Sequence, residues 1–161
     1  MSYAPALVAN AFVYRGKQAG RNFVHLEIQK LVFFIHAWTL TLLGQSVVSE
    51  RPEAWEYGPL FSSLYYRLKE FEAEAIEMLP EFQPETCEFV PLIPSQEDER
   101  FWFYVDQILG RYGKLNRYQL SALAHDPGGP WEETRNAKIT VMRDDVIRKH
   151  FAKMVPHASP H

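Results

Sequence analysis

The stretch that decides the fold runs from Leu26 to Phe71 and reads LEIQKLVFFIHAWTLTLLGQSVVSERPEAWEYGPLFSSLYYRLKEF. Its first half, Leu26 to Leu43, places apolar residues almost all the way around a helical projection, which is expected of a helix that neighbours surround on most sides. We therefore predict a mainly α protein, a single compact multi-helix domain around this buried central helix, with a minor short β element. Asn22 is the only nearby residue with a good capping side chain for the helix.

The second half of the stretch predicts an extended segment and then a helix. Glu53 to Tyr57 is short and extended, so alternate side chains face opposite ways, and Gly58-Pro59 follows. Because the residue before a proline avoids the helical region and proline suits the first helical turn, we expect a helix to begin at Pro59. Its apolar stripe consists of Phe61, Leu64, Tyr65, Leu68 and Phe71.

Helix signals recur on both sides of this stretch. Pro5 opens a first helix that ends at Gly16 or Gly20. Later helix starts are marked by Ser95 with Asp98, by Asn116 with Gln119 and by Gly129-Pro130. A last helix is expected near the C-terminus, and the side chains that should face the core are Val146, Ile147, Phe151 and Met154.

Residues 70–99 differ from the rest in composition, with ten acidic residues, no Lys or Arg, and four prolines. The helix from Pro59 is expected to end at Phe71 or run as far as Leu79, and a connection then holds one short strand at about Glu88 to Leu92. That strand is predicted to pair with the extended piece near Val47 to Tyr57.

Length and composition favour one domain, residues 1–155, followed by a disordered tail, residues 156–161. The net charge of −3 gives no overall electrostatic reason to expect nucleic acid or an anionic membrane as the main partner. Leu31 to Ser49 lacks formal charges, but polar residues interrupt it and its apolar run ends at Leu43, so we predict no membrane span. The lone Cys87 cannot form an internal disulfide and no secretory signal is evident; we expect a cytoplasmic protein.

Signals for catalysis are weak, and we predict no catalytic residue, no metal and no cofactor. The histidines lack the paired spacing of zinc ligands. One alternative is a small enzyme that uses His125 and Asp126, or Cys87 as a nucleophile, although the acidic surroundings of Cys87 disfavour a thiolate.

Aromatic residues and charge asymmetry favour protein binding instead. Amphipathic aromatic side chains are common anchors of interfaces. The candidate partner-binding residues are Trp55, Tyr57, Tyr65, Tyr66 and Trp131. The acidic region could steer a basic protein partner. Residues 135–153 hold six basic and two acidic side chains, which leaves a DNA-binding regulator as a further alternative.

Taken together, the motifs resemble the Panacea antitoxin domain, the family of SocA-like and phage-associated GepA-like proteins. The resemblance covers about residues 8–151 in the family's order and spacing, while the region from Glu70 to Ile93 shows no family pattern. It is carried by Ala9-Asn10, by Leu26 to Phe34, by Glu53 to Pro59 followed by Leu64-Tyr65, and by Leu120 to His125 with Pro130-Trp131.

What the resemblance implies is a non-enzymatic antitoxin that binds and neutralises a cognate, co-encoded protein toxin. In this family neutralisation proceeds by a direct complex or, in SocA-like members, by an adaptor role that delivers the toxin to the ClpXP protease. The residues that match the family motif, and that we expect to form its scaffold, are Gln29, Lys30, Ala54, Gly58, Pro59, His125 and Pro130.

Overall fold

The computed structural model describes residues 2–156 and confirms the mainly α prediction. The elements are α1 (Pro5–Gln18), α2 (His25–Leu43), β1 (Glu53–Trp55), β2 (Gly58–Leu60), α3 (Ser62–Leu68), β3 (Pro80–Gln83), β4 (Glu88–Pro91), α4 (Glu99–Tyr112), α5 (Arg117–Ala124), α6 (Pro130–Asn136) and α7 (Asp144–Ala152). One turn of 3-10 helix, Lys69–Phe71, extends α3. The expected tail at 156–161 lies outside the described residues, except for Pro156.

Helix α2 is the centre of the core, as its sequence predicts. Every residue from Glu27 to Leu40 is buried, and the helix packs against α1, α4, α5 and α7. By length and composition alone α2 could cross a membrane, but 78% of its most apolar window is buried inside the protein. Its all-round hydrophobicity is therefore that of a core helix.

Asn22, the nearby residue with a good capping side chain, does not cap α2. The helix begins after Val24, whose backbone N–H donates to the Glu27 carboxylate at 2.9 Å. Arg21 pairs with the same carboxylate at 2.8 Å. An acidic side chain in the first turn thus satisfies a free N–H and complements the helix dipole.

The segment after α2 folds as a hairpin, so the prediction that a helix begins at Pro59 is wrong. β1 and β2 pair antiparallel, with Ala54 opposite Pro59 and Trp55 opposite Gly58. Helix α3 begins at Ser62 instead. Proline lacks an N–H, which a two-stranded ladder tolerates as readily as a helix start does, and pairing with β1 decides between the two.

The acidic region contains a second hairpin, formed by β3 and β4. The predicted strand is present as Glu88–Pro91, but it pairs with Pro80–Gln83 and not with the segment near Val47 to Tyr57. The observed partner is the segment just before it in the chain, and composition did not identify that segment because Pro80 and Glu81 give it a weak strand signal.

Two of the three helix starts predicted in the second half of the chain are confirmed, whereas α4 begins three residues later than the signal at Ser95 predicts, because Asp98 is its cap. Asp98 accepts from the Phe101 N–H at 3.2 Å, Asn116 and Gln119 form a reciprocal capping box, and α6 begins at Pro130. Ile147 and Phe151 face inward as expected. Met154 does not: it lies beyond the end of α7 and is 47% exposed.

Candidate functional site

Three residues of the family motif, Gly58, Pro59 and His125, lie close to the buried side chain of Lys30. Lys30 has no exposed surface, and its ammonium donates to the carbonyl oxygens of Tyr57 at 2.8 Å and of Pro59 at 3.0 Å. Burial lowers the pKa of Lys30 to about 7, because the charged form is stripped of water. One lysine on α2 therefore fixes the turn between β1 and β2 from below.

Gln29, the preceding residue, fixes the other end of the hairpin. Its amide oxygen accepts from the Phe61 N–H at 3.0 Å, and its amide nitrogen donates to the Phe61 carbonyl at 3.3 Å. Both partners are buried. Neighbouring residues of α2 thus hold both the turn of the hairpin and its exit into α3.

Gly58 allows Lys30 and His125 to approach the hairpin closely. Its φ of +97° lies in a region that side chains rarely adopt. A Cβ at this position would lie 2.6 Å from His125 Cε1 and 2.8 Å from Lys30 Nζ. Only glycine meets both requirements here.

α5 and α6 hold the hairpin from the far end of the chain. The His125 ring lies 4.2 Å from the Trp131 ring, and its Nδ1 lies 2.7 Å from the Ser121 carbonyl oxygen. The Trp131 Nε1–H donates to the Trp55 carbonyl at 2.7 Å. Arg135 donates to the Ala54 carbonyl at 3.2 Å, and Pro130, at the start of α6, is buried.

Four of the five candidate partner-binding residues form one surface, here called the aromatic cluster: Trp55, Tyr57, Tyr65 and Tyr66. The Tyr65 ring lies at its centre, with ring centroids 5.0 Å from Trp55, 6.4 Å from Tyr57 and 5.5 Å from Tyr66. Tyr57 and Tyr66 are 50% and 57% exposed, and the other two are half-buried. Trp131, the fifth candidate, lies behind the hairpin and supports Trp55 through its backbone.

His25 supports the aromatic cluster from beneath, a role that the sequence analysis missed because it treated this histidine as isolated. Its ring lies 5.3 Å from Tyr65 and is buried. Burial, and secondly the nearby Lys30 charge, lower the pKa of His25 to about 4. Its Nε2 has no hydrogen-bond partner within residues 2–156, so packing holds the ring.

The residues proposed for an enzyme do not come together. Cys87 is exposed at the turn between β3 and β4, where its thiol donates to the Pro84 carbonyl at 3.8 Å. His125 packs on Trp131, and Asp126 is exposed on the loop between α5 and α6. Within residues 2–156 no group of three or more His, Cys, Asp or Glu side chains is placed to hold a metal ion.

A cleft of about 530 Å³ at the C-terminal end of α2 brings together His36, Asp98 and Asp144. His36 Nδ1 lies 2.7 Å from Ser46 Oγ, and burial lowers the pKa of His36 to about 4. Asp98 caps α4 and also accepts from the Tyr3 hydroxyl. These bonds give His36 and Asp98 structural roles, because they join α2 and α4 to the neighbouring chain.

The basic C-terminal segment is partly neutralised. Lys149 and His150 both contact Glu133, at 3.0 and 2.7 Å, and Arg143 pairs with Asp145 at 3.1 Å. Arg51 adds a pair with Asp144 at 3.5 Å. Several of the charges that suggested DNA binding are thus engaged within the protein.

Comparisons with known proteins match the part of the chain that builds this site. The family model described as "Antitoxin SocA-like, Panacea domain" matches residues 28–132, a range that includes Lys30, Gly58, His125 and Trp131. Antitoxin SocA of Caulobacter vibrioides (strain NA1000 / CB15N) is 26% identical over 153 residues, which cover 89% of this chain and 80% of that protein. No solved structure matches. The chain belongs to the SocA-like antitoxin family that carries the Panacea domain.

Proposed function

We propose that this protein is a non-enzymatic antitoxin that binds a co-encoded protein toxin in the cytoplasm, with the aromatic cluster as part of the contact surface. Family membership supports an antitoxin with a toxin as its partner. The main support for this location of the contact surface is that the aromatic side chains lie side by side and two of them are at least half exposed. They are Trp55, Tyr57, Tyr65 and Tyr66.

The physical basis of this proposal is a rigid aromatic surface. Tyrosine and tryptophan provide large contact areas and lose little side-chain entropy on binding, and they dominate the energetics of many interfaces. Here the backbone beneath them is fixed by Lys30, Gln29 and Trp131. Such a surface needs little reorganisation on binding, which favours affinity.

Two modes of neutralisation are compatible with this surface, a direct inhibitory complex and delivery of the toxin to the ClpXP protease. Both begin with recognition of the toxin, so both depend on the same contact. We propose direct contact as the shared first step, and proteolytic delivery as a second step in cells that contain the protease.

Co-expression with the product of the neighbouring reading frame tests the proposal. That product alone is expected to arrest growth, and the native protein is expected to restore growth and to co-purify with it. The double variant Tyr57→Ala/Tyr66→Ala is expected to fold normally, since both side chains are at least half exposed, and to bind about 100-fold more weakly.

Tyr118→Ala is the matched control, because Tyr118 lies on α5 outside the aromatic cluster and is 70% exposed. It is expected to bind like the native protein. If the native protein neither restores growth nor co-purifies, the antitoxin proposal fails. If it does both and the double variant is equally effective, the toxin is bound elsewhere.

A further inference from the structure

The β3–β4 hairpin turns its apolar side to solvent. Pro80 pairs with Pro91 and Phe82 with Phe89, and alternate pairs of an antiparallel ladder share one face. These four residues form what is here called the hairpin face. Phe82 and Phe89 are 50% and 69% exposed, and their rings lie 5.3 Å apart. Both prolines are exposed as well.

The opposite side of the hairpin is mostly polar. It is formed by the intervening pairs, Glu81 with Val90 and Gln83 with Glu88. Glu81 pairs with Arg67 of α3 at 2.5 Å, and Arg67 also donates to the Pro80 carbonyl at 2.6 Å. A sheet that only covered a core would place its apolar side inward, so this reversed pattern requires another explanation.

The base of the hairpin is fixed to α1 by Asn10, a buried residue. Its amide nitrogen donates to the carbonyls of Leu79 at 2.9 Å and of Leu92 at 2.7 Å, and its amide oxygen accepts from the Leu79 N–H at 2.6 Å. Both strands are thus tied to the same helix at the point where they leave the body. The hairpin that carries the exposed phenylalanines is therefore held in a fixed position relative to α1.

The charge around the hairpin face indicates the chemistry of what covers it. Residues 70–99 contain ten acidic side chains and no Lys or Arg. Glu85 is exposed in the turn between the strands, at the border of the hairpin face, while Glu88 is exposed at the start of β4, where it pairs with Gln83 on the opposite side. An apolar patch with an acidic border is complementary to an apolar side chain flanked by Lys or Arg.

We propose that the hairpin face is a second docking surface, which binds a basic segment of the toxin through Phe82 and Phe89. The inference rests on the proposed function, since it takes the toxin as the occupant. The acidic border disfavours a second copy of the same hairpin, because like charges would meet. Arg67 joins the other side of the hairpin to the helix of the aromatic cluster, since it pairs with Glu81 and follows Tyr66 on α3.

The test measures the dissociation constant of the purified complex with the product of the neighbouring reading frame, at low and at high salt. Phe82→Ser/Phe89→Ser is expected to weaken binding about tenfold or more at both salt concentrations. Glu85→Lys/Glu88→Lys is expected to weaken it about tenfold at low salt, and less at high salt, because exposed charges are screened. Circular dichroism verifies that each variant is folded.

Phe103→Ser is the matched control, because Phe103 lies on α4 and is 55% exposed. It is expected to bind like the native protein. If the native complex forms and both hairpin variants bind as tightly as the control, the docking surface is overturned while the antitoxin proposal stands. If the native protein forms no complex, both proposals fall.

Discussion

At the residue scale, Gly58 meets two demands that rarely coincide. Its φ of +97° disfavours any side chain, and the space that a Cβ would need is filled by Lys30 Nζ and His125 Cε1. The buried ammonium, the histidine and the hairpin backbone are therefore in contact only because this position has no side chain. The glycine links residues of α2 and α5 to the turn that carries Tyr57.

We expect Gly58→Ala to lower the free energy of unfolding by about 3 kcal/mol or more, since it combines backbone strain with a clash in a packed site. Gly44→Ala separates the two causes, because Gly44 also has a positive φ, +79°, but nothing lies within 4 Å of the added Cβ. It is expected to cost only about 1 kcal/mol. Urea denaturation measures the free energy of unfolding of both variants. Equal decreases would show that the clash with Lys30 and His125 contributes nothing to the loss of stability.

At the element scale, the two hairpins are positioned by helices distant in sequence. β1–β2 is bound by α2, α5 and α6, and β3–β4 by α1 and α3. In both cases side chains bind the backbone of the hairpin, so apart from Gly58 and Glu81 the contacts depend little on which residues the strands themselves carry. The strands can then vary their outward side chains without loss of position.

Asn10→Ala is expected to release the β3–β4 hairpin from α1, because it leaves the N–H and carbonyl of Leu79 without their partner. We expect a loss of about 2–4 kcal/mol and faster hydrogen exchange at residues 79–92. Asn116→Ala, which removes the cap of α5, should cost about 1 kcal/mol and affect exchange only near that helix. Unchanged exchange in the hairpin of Asn10→Ala would contradict the assigned role of Asn10.

The same elements show what can be predicted from sequence. The starts of α5 and α6 follow from local signals, namely Asn116 with Gln119, and Pro130, whereas α4 is capped by Asp98 and not by Ser95 as predicted. The helix prediction at Pro59 failed because its signal fits a helix start and an edge strand equally well, and the choice depends on pairing with β1 and on the distant partners Lys30 and Gln29. Helix periodicity is local, whereas hairpin positions depend on contacts across the whole chain.

The candidate site was likewise predicted only in part. The family motif indicated Lys30, Gly58, His125 and Trp131, but not that Gly58 lies between the Lys30 ammonium and the His125 ring, nor that Trp131 binds the Trp55 carbonyl. Aromatic content indicated Trp55, Tyr57, Tyr65 and Tyr66, and their association follows from spacing on α3 and from the turn of the first hairpin. Sequence did not predict that Asn10 holds the β3–β4 hairpin or that His25 packs beneath Tyr65. The partner of a buried polar residue can be distant in sequence, so it is identified only from the structure.

At the scale of the whole molecule, folding stability should depend on pH through Lys30. Its pKa falls from an ordinary 10.5 to about 7 on burial, so between these values the unfolded chain binds a proton that the folded protein does not. Unfolding therefore takes up protons in this range, and the free energy of unfolding should rise as the pH is raised. The rise is at most about 1.4 kcal/mol per pH unit for one group.

Chemical denaturation of the native protein and of Lys30→Met at pH 7 and pH 9 tests this dependence. The native protein should gain stability relative to the variant as the pH rises, since all other groups titrate alike in both. A difference in stability that is constant with pH would mean that Lys30 keeps its proton in the folded protein throughout this range.

The bond from Trp131 to the Trp55 carbonyl spans 76 positions of the chain. During synthesis, the first hairpin leaves the ribosome long before the tryptophan that holds it. A nascent chain that ends before α6 carries the tyrosines together with Lys30 and Gln29 but lacks the bond from Trp131, so we expect the aromatic cluster to be only partly fixed. We therefore expect binding through the aromatic cluster, as proposed above, to become possible only late in translation.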